Sequence, residues 1–184
     1  ISAGGEVELG SDYGDVIFDG AIDAGKSVYV WSNFDPMIMG TIIAGRDIKI
    51  WSDTDVVVNG SLIAGNDVTL SSCRSDVQVI GVITAGDDVF LKSCRGDVDI
   101  EGSITAGADV SIDVHRGDLM FSGAVEAGDD VRFKVCHGGI TAAGSIWAGD
   151  DIEMRSRWEL LFSGTLTAGD RLCLRSIRGK VVLT

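Results

Sequence analysis

The chain has 184 residues, 25 of them glycine and one proline, and its 28 acidic residues against 15 basic ones give a formal net charge of −13. Hydrophobic residues make up 45% and mean hydropathy is +0.25, too apolar for disorder, which pairs high net charge with low hydrophobicity. The acidity argues against nucleic acid as a partner, since that needs a basic face, and no apolar run nears the roughly 18 residues of a membrane span or resembles the core of a signal peptide.

Glycine inside a helix costs about 1 kcal/mol, so a chain this rich in it points to β structure. Its glycines are periodic. An Ala-Gly pair recurs at Ala3, Ala24, Ala44, Ala64, Ala85, Ala106, Ala127, Ala148 and Ala168, at intervals of 20 or 21 residues. Nine copies span 1–184, leaving no room for a second domain. Within the unit from Ala85 to Thr105, apolar residues alternate in three stretches: Val89 with Leu91, Val98 with Ile100, and Ile104 with a repeat alanine. Period-2 alternation is the strand pattern, and Gly86, Gly96 and Gly102 are expected at corners between the stretches. Some 20 residues are too few for a strand, a crossover helix and a second strand. The fold class expected is therefore all-β: a single-stranded parallel β-helix of about nine coils, stacked about 4.8 Å apart. Three inward columns follow, one running from Ile22 through Ile104 to Leu166, one from Val28 to Leu172, and one from Val16 to Leu160.

Taken from the N-terminus, the first coils carry Tyr29, Trp31 and Trp51 outward, an aromatic row suited to a neighbouring protein or a sugar ring. Pro36 lacks a ladder donor, so a break or bulge is expected there. Another row, Ile17, Met37, Met39, Val57, Ile80, Met120 and Leu161, occupies slots expected to face solvent, and such a stripe marks a partner surface. A further face carries Thr41, Ser61, Ser103, Ser145 and Thr165. In the middle coils, Cys73, Cys94 and Cys136 share one corner slot with His115. Adjacent coils bring Cα atoms to about 4.8 Å, within disulfide range, so a Cys73–Cys94 bridge is an alternative to free thiols. Ligands spread over four coils do not converge on one zinc. Arg95-Gly96-Asp97 and Arg116-Gly117-Asp118 read as a corner the repeat favours, and Cys173 lies in a different, outward slot.

Acidic residues recur after the Ala-Gly pairs (Asp47, Asp67, Asp88, Asp109, Asp130 and Asp151) and at Asp15, Asp35, Asp55, Asp76, Asp97 and Asp118. Such aspartates are expected to bond turn amides. The alternative is calcium bridging by Asp88, Asp109, Asp130 and Asp151, although the glycine-rich calcium nonapeptide is missing. No cofactor is otherwise expected. Catalysis is not expected either: the carboxylates recur evenly, His115 and His137 belong to no triad, and no insertion longer than one residue breaks the repeat.

The pattern Gly-x-Ile-x-Ala-Gly-x-Asp-Val-x-Leu, as from Gly102 to Ile112, resembles the repeats of filamentous-haemagglutinin-type adhesins, with bactofilin-like polymer-forming proteins as a second resemblance. The first implies a right-handed helix exported to the bacterial surface; the second implies end-to-end assembly, and free cysteines would suit a cytoplasmic filament as the alternative compartment. The four cysteines depart from the haemagglutinin pattern. Thr184 and Ile1 sit two residues apart in repeat phase, so the rod is expected to polymerise head to tail or to be a piece of a longer solenoid. The expected role is structural, a filament subunit or adhesin stalk, extracellular or at the cell surface, with its own copies as partners end to end and laterally. A host surface or glycan is the further partner considered, and a carbohydrate-binding or carbohydrate-active β-helix is the alternative.

Overall fold

A computed structural model describes all of residues 1–184 and contains strands and turns only. Each of the first eight coils is a five-residue strand, a corner, and a nine-residue strand, as in Val89–Ser93 followed by Val98–Ala106, and the ninth pairs a five-residue strand with the three-residue Val181–Leu183. Coils 1 to 9 span 7–24, 28–44, 48–64, 68–85, 89–106, 110–127, 131–148, 152–168 and 172–183, preceded by the short strand Ser2–Ala3. The long strands form one ten-stranded sheet and the short strands a nine-stranded sheet, every pairing parallel. Parallel β-solenoid architecture thus follows from the 20-to-21-residue period: Val98 pairs with Val77 before it and Leu119 after it, and each repeat residue meets its equivalent in the next coil.

The two sheets face each other across a single core of 44 buried residues. Alternation puts Val89 and Leu91 inward from the short strand, and Val98, Ile100, Ile104 and Ala106 from the long one. Phe121 and Phe133 meet across the gap with ring centroids 6.0 Å apart. The three expected inward columns are buried through the middle coils, while at their ends Leu172 is 47% exposed and Val16 and Leu166 are half-buried; two more columns join them, Ile38, Val58, Val79 and Ile100 on the long strands, and Val30, Ile50, Leu70 and Leu91 on the short ones.

Two features differ from the expectation, and a third takes one of the two forms expected. The second and third stretches of the unit are one continuous strand, with Gly102 at its centre rather than at a corner. Gly102 holds φ at +151°, and a Cβ there would strike the carbonyl oxygen of Gly81 in the preceding coil. The residue is glycine because neighbouring backbones approach too closely there for a side chain, so inward phase runs unbroken from Val98 to Ala106. At Pro36 the expected interruption is a break without a bulge. Proline starts a long strand, paired with Val16 on one side, while the ladder toward coil 3 lacks its first pair, because the ring has no N–H to give, and lacks the Met39–Asn59 and Gly40–Gly60 pairs as well. Finally, the core has a polar column. Ser32, Ser52, Ser72, Ser93 and Ser156 are fully buried at the end of the short strands. The Ser93 hydroxyl lies 2.9 Å from the Ser75 carbonyl of the coil below and 2.8 Å from the Gly96 carbonyl, and it accepts the Gly96 N–H at 2.9 Å. Val114 and Val135 occupy the same slot in coils 6 and 7.

Candidate functional site: two unlike faces and the corners between them

Because the long strand is continuous, the apolar row and the Ser/Thr row share one outward surface. Four of the seven stripe residues are exposed there, Ile17 most of all at 64%, with Met39, Ile80 and Met120, while Met37, Val57 and Leu161 are half-buried. Ile43, Ile63 and Val82 widen the patch over coils 2 to 4, and Gln78, Asp99 and Glu101 interrupt it.

The distribution of charge between the faces was missed by sequence reasoning. None of the ten strands of the long-strand sheet contains Lys, Arg or His, whereas Asp19, Asp23, Asp99, Glu101 and Glu126 all project outward from it. That face carries −5. The short-strand sheet holds Lys49, Lys92, Arg132, Lys134, Arg155 and Arg175 against Glu8, Asp113 and Glu153, six minus three, a net +3. Summing charge over the chain hides this; assigning each residue to a strand and a phase would have revealed it. Arg155 lies 3.5 Å from Glu153 and Lys134 lies 3.7 Å from Asp113, solvent-exposed pairs worth little each. Lys92 and Arg175 make no ion pair.

The aromatic row occupies this second face. Trp31 and Trp51 are register partners, with Trp51 37% exposed and Tyr29 and Trp31 half-buried. The Trp31 indole lies over Gly10, where any Cβ would collide with it, and its Nε1–H donates to Glu8 at 3.1 Å. Trp31 therefore closes over coil 1, and within this row Trp51 is the ring most open to solvent.

The aspartates form ladders from coil to coil. The Oδ1 atoms of Asp88, Asp109 and Asp130 accept the backbone N–H of Asp109, Asp130 and Asp151 at 3.0, 3.0 and 2.9 Å. At the other corner Asp76, Asp97 and Asp118 accept from Asp97, Asp118 and Gly139 at 2.7, 2.8 and 2.7 Å. The expected amide bonding is present, but the amide belongs to the next coil and not to the aspartate's own turn. Asp151 ends its ladder, where Arg171 takes the repeat position and lies 3.4 Å from the carboxylate. Both Arg-Gly-Asp aspartates are ladder members. No group of three or more His, Cys, Asp or Glu side chains converges as a metal site would.

Cys73, Cys94, Cys136 and Cys173 are half-buried free thiols, so the Cys73–Cys94 bridge is not made. His115 and His137 meet edge to face with ring centroids 5.2 Å apart, and His137 Nδ1 lies 3.0 Å from the His115 carbonyl. A groove of about 410 Å³ lies along the same run of corners, lined by Asp97, Asp118, Met120, Gly139, Trp158 and Leu161 among others, and neither histidine lines it. It opens where Gly139 replaces the next ladder aspartate.

Fold and faces together define a parallel β-solenoid repeat protein with one acidic, partly apolar side and one basic side. No family model, no curated protein and no solved structure matches the chain.

Proposed function

We propose that the chain is a structural, non-enzymatic β-solenoid rod that assembles with its own copies, as a filament subunit or as the stalk of a bacterial surface adhesin. The observation that carries this reading is the unbroken register through nine coils, in which the side chains with most chemical potential are spent on coil-to-coil bonding. An active site needs a local constellation that departs from the repeat, with groups held in mutual reach. Here the ladder carboxylates repeat one per coil, and the His115–His137 pair contacts a backbone carbonyl and no carboxylate.

Negative-stain microscopy and sedimentation of the purified chain test the proposal, alongside incubation with acidic and neutral polysaccharides. Fibres or associated rods, with no reducing ends released, are expected. Discrete single rods at every concentration, or sugar cleavage, would overturn it. The solvent-open Trp51 beside Trp31 favours a second reading, carbohydrate binding, which a glycan array with a Trp51→Ala control separates from the first.

A further inference from the structure

We propose that the rods stack face to back: the long-strand face of one copy seats on the short-strand face of the next. This rests on the self-assembly reading above and names the surfaces that perform it.

Charge selects the pairing. Two long-strand faces would bring −5 against −5 without a single cation between them, and two short-strand faces would bring +3 against +3. Only unlike faces attract, and like-charge juxtaposition is how interfaces reject wrong partners. The remaining 20 acidic and 9 basic residues (28 minus 8, and 15 minus 6) lie outside the strands, mostly at the corners, so edge-to-edge contact is repulsive as well.

Spacing permits the pairing along the whole rod. Both faces are built from the same coils, so their side-chain columns share one repeat of about 4.8 Å and stay in step from end to end. Laid coil for coil and pointing the same way, a second rod brings its Lys92, near the end of the short strand, over the first half of the long strand, where Asp99 and Glu101 project. Lys92 has no ion-pair partner within its own chain. The apolar patch that includes Met39 and Ile80 would be covered by the same contact.

The area suffices. The narrower face is five residues, about 17 Å, by nine coils, about 40 Å, hence roughly 700 Å² per partner. That approaches the roughly 800 Å² per partner of a standard specific interface. Since each rod offers one face of each kind, the contact is heterologous and does not close, and stacks grow without a fixed number.

The test uses reversed charges on each face: Lys92→Glu with Lys134→Glu, which takes the short-strand face from +3 to −1, and Asp99→Lys with Glu101→Lys and Glu126→Lys, which takes the long-strand face from −5 to +1, followed by light scattering and microscopy. Melting curves confirm that these outward substitutions leave the solenoid folded. Each variant alone is expected to lose lateral stacking by at least tenfold in the concentration required. Mixed one to one, the two variants regain it, because each then meets an opposite face. Stacking by either variant at wild-type concentrations, or a mixture that stays unstacked, would overturn the proposal. Wild-type fibres one rod wide would overturn it while leaving the filament reading intact; discrete single wild-type rods would sink both. Wild-type faces that capture only added polysaccharide and never a second rod would also refute it.

Discussion

Ser93→Ala tests whether the buried serine column holds the coils together. The Ser93 hydroxyl is completely buried, gives its one proton to either the Ser75 or the Gly96 carbonyl, and accepts the Gly96 N–H at 2.9 Å. Alanine removes one donated and one accepted bond, at about 1 kcal/mol each, and strands a partly buried amide at about 1 kcal/mol or more. The expected loss is about 3 kcal/mol, which for a chain of this length lowers the melting temperature by about 6–12 °C. Ser156 supplies the internal control, because its hydroxyl is equally buried but makes one bond, to the Trp158 carbonyl at 2.8 Å. Ser156→Ala should therefore cost about 1 kcal/mol. Thermal and urea denaturation followed by circular dichroism measure both, and amide exchange at Gly96 reports where the damage lies. If Ser93→Ala costs no more than Ser156→Ala, the column is not a source of cohesion and the argument fails.

Three further substitutions probe the other layers of the coil. Gly102→Ala puts a Cβ against the Gly81 carbonyl at a φ of +151° and should cost at least about 3 kcal/mol, seen as a large melting-temperature drop; a loss under about 1 kcal/mol would mean that the coils can part cheaply there. Ile104→Ala, at 1% exposure, should lose about 2–5 kcal/mol in urea titration, and Ile104→Val only about 0.5–1.5 kcal/mol. Asp130→Asn keeps an oxygen for the Asp151 amide while removing one charge from the ladder, so its melting temperature should equal or exceed that of the wild type, whereas Asp130→Ala should fall. Were the ladder a calcium site, Asp130→Asn would instead abolish a calcium-dependent rise in melting temperature.

The period, the parallel stacking and the inward columns could be read from residue spacing, because in-register coils repeat the same chemistry at the same phase. The strand through Gly102 could not. Glycine ordinarily marks a turn, and here it answers a close approach between backbones that only coordinates reveal. Ser93 followed Val89 and Leu91 in strict alternation, which places it inward, yet a hydroxyl at the end of a strand reads as solvent-facing until its carbonyl partners in another coil are known. The Asp97 and Asp130 ladders were legible as amide acceptors, but the identity of the amide depends on how coils stack. The outward stripe from Ile17 to Leu161 was anticipated as a row; that it shares its sheet with the Ser/Thr row, and that this sheet lacks every cation, followed from joining two stretches into one strand.

The ladders also determine how such a rod bears load. Backbone bonds such as Val89 N–H to the Asp109 carbonyl, and side-chain bonds such as Asp109 N–H to Asp88, all run from one coil to the next, along the axis. Tension applied to the two ends does not shear a sheet; it peels coils away one at a time. Each detached coil of 20 or 21 residues releases about 70 Å of extended chain, so the molecule would lengthen in even steps. Sideways bending, by contrast, must stretch one sheet while compressing the other across a packed interior. The result is a slender element that is stiff in flexion and yields in increments when pulled.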